Sequence, residues 1–292
     1  MESQNLKAFV TVAEHQSFSR AAELLHITQP AVSKRISTLE NELDTLLFDR
    51  IGRQPQLTEA GYALLPRARA ILLQLDDAER ALTNLNGEVT GRLSIGTSHH
   101  IGLHRLAPVL REFTQKYPQV QLDIRFLDSE EGCYMVETGT LELAMVTLPS
   151  SPSPKLLTEQ IWDDPLAIVM GPNHPLAQHK PPLTLAMLSE HNAILPAKGT
   201  FTRNIIERAS AEMGTQLQVS LETNYLETIK MMVSIGLGWS ALPTNMIDGD
   251  LISADVKGLN IRRGLGTVIH RERTLSNAAS HLMKVLDAYR TK

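Results

Sequence analysis

From residue 64 to residue 85 the apolar residues Leu64, Ala68, Ile71, Leu75, Ala78, Leu82 and Leu85 recur in alternating steps of four and three. That spacing is a heptad seam about three heptads long, a narrow apolar stripe that one helix lays against another. A rod of this kind separates an N-terminal module from a C-terminal one. Thr58 is a residue type that caps such a helix, and Asn86-Gly87 can end it. The expected organisation is a domain at residues 1–58, a linker and dimerisation helix at 59–87 and a domain at 88–292. Packing of the stripe on its own domain is the other use of the same spacing. A length of 292 residues accommodates about two domains.

Composition excludes several classes. Hydrophobic residues are 42% and charged residues 21%, enough apolar material for large cores and too much for wholesale disorder. No apolar run approaches the ~18 residues of a membrane span, so no membrane partner is expected. The opening residues MESQNLKAFVTVAEHQ carry no basic region followed by an apolar one, so no secretion signal is read and a cytoplasmic location is expected. Cys133 is the single cysteine, which excludes an internal disulfide and a cysteine-rich zinc site. A net charge of −4 excludes a uniformly basic surface but permits a local basic patch. Aromatic residues, at 4%, are too sparse for single-strand stacking platforms.

The first sixty residues read as short, closely spaced helices. Leu6, Phe9, Val10 and Ala13 form one apolar face. Ser17 can cap a second helix bearing Phe18, Ala21, Ala22, Leu24 and Leu25, and Thr28 a third with Pro30 in its first turn. The third helix turns Val32, Ile36, Leu39 and Leu43 inward and Gln29, Ser33 and Lys34 outward. Two helices joined by a short turn, the second polar at its N-terminal end, match a helix-turn-helix whose second helix enters the major groove. There Gln29 can bond adenine and Ser33 can donate or accept, while Lys34 and Arg35 offer charge to phosphate or guanine. Two apolar stretches around Gly52 and Pro55 predict a small β wing carrying Arg50 and Arg53 toward phosphate or the minor groove. Residues 1–58 hold six Lys/Arg against seven Asp/Glu, so the module as a whole is not basic. Periodicity alone leaves a DNA-binding domain and a helical interaction domain both open.

The residues themselves are more specific. The stretch Phe9-Val10-x-Val12-Ala13-Glu14-x-x-Ser17-Phe18-Ser19-x-Ala21-Ala22 is followed by Gln29-Pro30-Ala31-Val32-Ser33-Lys34-x-Ile36-x-x-Leu39-Glu40. It continues through Leu47-Phe48-x-Arg50 and Leu57-Thr58-x-Ala60-Gly61. Over residues 3–66 this closely resembles the winged helix-turn-helix of LysR-type transcriptional regulators. The resemblance implies groove-facing roles for Gln29, Pro30, Ser33 and Lys34 and a wing role for Arg53. It also implies dimers formed through the linker helix, tetramers built from them, double-stranded promoter DNA as partner and contact with RNA polymerase. The family often has Arg at the Lys34 position and Gln at the Arg35 position; Lys34 weakens the case for bidentate guanine recognition there.

Beyond residue 88, strand and helix patterns alternate. Strands are expected at 93–97, 120–126, 143–147, 167–170, 193–195, 218–222 and 267–270, and helices at 202–213, 225–235 and 276–289. This predicts an α/β domain with a largely parallel sheet. Ligands of open α/β sheets bind at the C-terminal strand ends beside helix N-termini. Ser98, His99 and His100 hold one such position, Thr147 another, and Thr200, Phe201, Thr202 and Arg203 a third. Free N–H groups, hydroxyls and Arg203 suit a small anion such as a carboxylate, although the hydroxyls serve equally well as helix caps.

Gly91-Arg92-Leu93-x-Ile95-Gly96, Pro108-x-Leu110-x-x-Phe113-x-x-x-Tyr117-Pro118 and Gly236-Leu237-Gly238-Trp239-x-x-Leu242-Pro243 resemble, more loosely, the LysR effector domain. That resemblance implies a periplasmic-binding-protein-like architecture of two subdomains, about 92–162 with 268–292 and about 163–267. It places Ser98, His99, Ser129, Thr147, Thr200 and Thr202 at the cleft. His99-His100 departs from the hydroxyl-rich loop common in the family, and one histidine is expected to read the effector's polar group. His104 follows His100 by four residues, but no carboxylate partner stands out, so no metal and no cofactor are expected. Cys133 lacks a resolving partner for redox sensing.

Gly236-Leu237-Gly238 lacks the further glycine of a dinucleotide site, and no P-loop, G-x-S-x-G or H-E-x-x-H motif is present. No enzyme is expected. The competing reading is a cytosolic solute-binding or enzymatic α/β domain attached to a helical interaction module.

Overall fold

The computed structural model describes residues 1–49 and 54–291. Two compact units divide between Asn86 and Gly87. The first contains α1 (Ser3–His15), α2 (Phe18–Leu24), α3 (Gln29–Leu43), the short strands β1 (Phe48–Asp49) and β2 (Gln56–Leu57), and α4 (Glu59–Asn84). Ser17 accepts from the Arg20 amide and Thr28 from the Ala31 amide, so both reading-head helices begin where hydroxyl caps set them. Leu6, Phe9, Val12, Val32, Ile36 and Leu39 close the core, with Phe48 packed 5.5 Å from Phe9.

Glu40 fixes the route from α3 into the wing. It is buried, and its Oε1 accepts from the amides of Leu47 (2.9 Å) and Phe48 (3.3 Å). β1 and β2 pair antiparallel, Phe48 opposite Leu57 and Asp49 opposite Gln56. Thr58 caps α4 by accepting from Gly61 N at 3.1 Å and donates its hydroxyl to Leu46 O at 2.7 Å. Gly61 is required by proximity, since a Cβ there would stand 2.3 Å from the Leu47 carbonyl oxygen. The wing arginines Arg50 and Arg53 lie outside the described residues.

The seam of α4 divides in two. Ala68 is buried and Leu64 packs against the first unit's core. Further along, Ile71, Leu75, Leu82 and Leu85 are 39%, 44%, 69% and 81% exposed. Within one chain the stripe therefore serves its own domain first and then runs out uncovered.

The second unit is built on one continuous sheet. Its strands are β3 (Gly91–Thr97), β4 (Val120–Phe126), β5 (Leu143–Thr147), β6 (Leu156–Met170), β7 (Ala193–Leu195), β8 (Val219–Glu222), β9 (Trp239–Pro243), β10 (Ile252–Ala254) and β11 (Ile261–His270). They run in the order β4-β3-β5-β11-β6-β9-β7-β8, with β10 paired to β6. The helices are α5 (His99–Ile101), continued by a π-turn at Gly102–Leu106 into α6 (Ala107–Lys116), α7 (Ser129–Glu137), α8 (Leu185–Ser189), α9 (Phe201–Glu212), α10 (Leu226–Ser234) and α11 (Asn277–Asp287).

The largely parallel sheet expected from the sequence is mixed. β3 pairs parallel with β4 and β5, and β7 with β8 and β9, but β11 runs antiparallel to β5 and β6, and β6 antiparallel to β9 and β10. The reason lies in two long strands whose polar halves disguise them. Thr158-Glu159-Gln160 and Asp163-Asp164-Pro165 interrupt the apolar pattern of β6, and Arg262-Arg263-Gly264 that of β11. These halves lie where the two strands cross between lobes. The first lobe packs α6 and α11 on one face of β3–β5 and α7 on the other. The second lobe packs α8 and α9 on one face of its strands and α10 on the opposite face.

Candidate functional site

In the first unit, the turn Leu25-His26-Ile27 and the Thr28 cap bring α3 in behind α2. Gln29, Pro30 and Lys34 are exposed at the start of α3, and Ser33 is half-buried beside them. Arg35 is differently placed from what its charge suggested: its Nη2 donates to Gln4 Oε1 at 2.7 Å, so α1 holds the guanidinium. The outward edge of α3 thus presents an amide, a hydroxyl and an ammonium within its first two turns. These groups suit base edges and phosphate.

In the second unit, a small pocket, partly open to solvent, lies between the lobes. Ser98, His99, His100, Ser129, Thr147, Thr200 and Thr202 line it, brought from four different segments. Each hydroxyl arrives at a strand end or helix start: Ser98 between β3 and α5, Ser129 at the first residue of α7, Thr147 at the end of β5, Thr200 as the cap of α9. Ser129 is oriented by the Thr147 amide, which donates to its Oγ at 3.1 Å. His99 stands between Phe126 (5.4 Å between ring centres) and Tyr225 (4.8 Å), one from each lobe.

Two expected residues turn away from this cavity. The Arg203 guanidinium is buried against the Pro196 carbonyl (2.9 Å), Glu207 (2.8 Å) and Glu222 (3.4 Å). It is held by acids of its own lobe. Phe201 packs toward the Cys133 cluster and lines a separate groove.

The charge at the cavity floor comes instead from Arg263 on β11, which sequence reasoning missed. It is 4% exposed; its Nε donates to Asp164 Oδ2 at 2.7 Å and its Nη1 to Thr202 Oγ1 at 3.0 Å, and its Nη2 has no hydrogen-bond partner among the described residues. A signal existed. Asp163-Asp164 and Arg262-Arg263 fall on paired strands, with Arg263 directly opposite Asp164. Asp164 also faces Arg105 Nη2 (3.5 Å) and His100 Nε2 (3.9 Å). Burial pushes the Asp164 carboxyl up, but His100 and Arg263 beside it outweigh that and hold it at about 2. Burial lowers His100 below the usual imidazole value against the opposing pull of Asp164.

Further residues at the cavity bridge the lobes. Asn224 Nδ2 donates to Asp128 Oδ2 at 2.6 Å. The Glu130 carboxylate accepts from the Phe201 amide at the N-terminus of α9. One acid of the chain therefore already occupies the helix end that sequence reasoning reserved for an anion. Cys133 is buried, and burial together with Glu130 and Glu137 pushes its thiol up to about 12, so the reactive thiolate does not form there.

A reading head on a capped helix pair, followed by a two-lobed sheet with a polar cavity at its crossing strands, defines a helix-turn-helix regulator with a ligand-sensing domain. Residues 3–62 match the bacterial regulatory helix-turn-helix protein, lysR family, and residues 86–290 match the LysR substrate binding domain. The chain belongs to the LysR family of transcription regulators, whose members bind promoter DNA and small effectors and are not enzymes. It is 32% identical over 282 residues to the RuBisCO operon transcriptional regulator of Allochromatium vinosum, covering 94% of this chain and 92% of the relative. Its fold matches a full-length OxyR variant from Pseudomonas aeruginosa with a TM-score of 0.72 at 24% identity, over 99% of this chain and 94% of that one. Full-length CbnR complexed with its target DNA matches with a TM-score of 0.63 at 21% identity, over 99% of this chain and 100% of that one.

Proposed function

We propose that this regulator is controlled by a small anion, best matched by a carboxylate, bound in the cavity between the lobes of the second unit. Arg263 carries the reading: a buried guanidinium lines a cavity ringed by hydroxyls, with one of its amino groups unpaired. An unpaired buried donor costs about 1–3 kcal/mol, and an anion placed there recovers it through a charge-assisted hydrogen bond. The Glu130 carboxylate at the head of α9 supports the same chemistry, since the chain itself puts an acid beside the cavity at a free amide. The effector's carboxylate sits beside Glu130 or displaces it. Ser98, Ser129, Thr147, Thr200 and Thr202 orient the remaining polar groups, and His99 or His100 reads one of them.

Anion binding draws the lobes together about β6 and β11 and alters how two reading heads meet DNA. The heads are brought to an inverted repeat by a dimer formed along the uncovered half of the α4 seam, two such dimers make a tetramer, and the assembly works with RNA polymerase in the cytoplasm. The test is thermal denaturation of the full chain against small carboxylates, sugar phosphates and neutral polyols. One anion class raises the melting temperature and neutral polyols of the same size do not. Stabilisation by no anion, or by neutral polyols alone, overturns the reading.

A further inference from the structure

The rim of the first lobe holds a second constellation, which shares only His100 with the effector cavity. His100 and His104 lie four residues apart across the π-turn that joins α5 to α6, their rings 4.8 Å centre to centre. A π-turn is rare and frequently marks a functional site. Glu227, in the first turn of α10, reaches them from the other lobe: its Oε1 is 3.0 Å from His104 Nε2. One donor atom from each of the three side chains lies within 4.8 Å of the others. His100 is 5% exposed; its Nε2 stands 3.9 Å from Asp164, and among the described residues neither ring nitrogen has a partner at hydrogen-bond distance.

We propose that His100, His104 and Glu227 form a binding site for a divalent transition-metal ion of the zinc type, closing one lobe on the other. Two imidazoles and one carboxylate make a three-ligand set that leaves a fourth position open for water or for an oxygen of a bound anion. Bonds of about 2.0–2.1 Å in a tetrahedron put donor atoms ~3.4 Å apart. The His104–Glu227 pair, at 3.0 Å, is already within that reach, and the widest separation, 4.8 Å, must shrink by about 1.4 Å, a movement within reach of a ring rotation or a small lobe closure. Arg105, Arg263 and Asp164 are the other charged groups facing His100, and they leave the neighbourhood mildly cationic. The two imidazoles, rather than this charge, disfavour magnesium and calcium, which are held by carboxylate and carbonyl oxygens, and favour a zinc-type ion. The sequence hid the site because its carboxylate comes from a helix more than a hundred residues away.

The probe is cobalt(II) added to chelator-treated full-length protein, followed by visible absorption. One equivalent is expected to produce the intense bands of a tetrahedral ion, zinc to displace it and magnesium to leave it in place. His104→Gln and Glu227→Gln, both on partly exposed side chains, should each weaken binding at least about tenfold. His191→Gln, which alters the His174–His191 pair in the second lobe, should leave it unchanged. Absence of the bands, equal affinity in the first two variants, or loss in His191→Gln instead, overturns the proposal. None of these readouts depends on an anion being bound, so the site stands or falls apart from the effector reading.

Discussion

Asp164 and Arg263 face each other across two strands with almost no exposure, and each is expensive to bury alone. Arg263→Met strands the Asp164 carboxylate in the protein interior, which should cost about 3–5 kcal/mol and show as a lowered urea midpoint. Asp164 is held at about 2 in the folded chain against 3.8 ordinarily. The folded state therefore releases this proton more readily, and the contribution, about 2 kcal/mol, is present above pH 4 and lost as pH falls from about 4 to about 2. His100 acts in the same direction at higher pH. Its value is lowered from 6.5, so the unfolded chain takes up a proton first and stability declines as pH drops below about 6.5. Urea melts across this range should show both limbs, and His100→Gln should remove the upper limb and, since His100 helps hold Asp164 down, shrink the lower one. A profile unchanged by that substitution would place the upper limb elsewhere, His174 being the other histidine lowered by burial.

At the scale of elements, the reading head was the most legible part. Its caps, turn and apolar face are local, so Ser17, Thr28 and Val32-Ile36-Leu39 could be read directly from spacing. On α3, Gln29→Ala and Ser33→Ala should each cost about 1–3 kcal/mol of discrimination at one contacted base while leaving nonspecific binding largely intact. Footprints that keep their base preference in both variants would remove α3 from the groove. Gly61→Ala replaces a glycine in a helix, a change that ordinarily stabilises by about 1 kcal/mol. Here the added Cβ meets the Leu47 carbonyl, so the expected result is a destabilisation of about 1–3 kcal/mol and a lower melting temperature.

The crossing strands β6 and β11 were the least legible elements. Their polar residues find partners only through long-range pairing, Asp164 with Arg263, Asp163 with Arg262 and Glu159 with Arg290, which no local window reveals. Arg203 misled for a related reason. A cation beside a helix N-terminus reads as an anion receptor until the acids that neutralise it, Glu207 and Glu222, are seen in space.

For the whole molecule, two features extend beyond a single chain. The outer half of the α4 seam exposes Leu75, Leu82 and Leu85 in a row, and the dimer proposed along it should dissociate when Leu75 and Leu82 are both changed to Glu. Sedimentation would show a smaller species that retains its helix content; an unchanged assembly would move the interface elsewhere. The second feature is the cavity itself, where the proposed regulation rests. Calorimetric titration of an anion that stabilises the full chain, into the wild type and into Thr202→Val, tests that most directly. The variant keeps the side chain's shape and removes the Thr202 hydroxyl, which is held by Arg263 and is one of those proposed to bond the effector, and a hydrogen bond to a charged group is worth about 1.5–3 kcal/mol. Binding should be at least about tenfold weaker in Thr202→Val. Equal affinity in the two proteins would contradict binding at Arg263 and place the anion outside the cavity between the lobes.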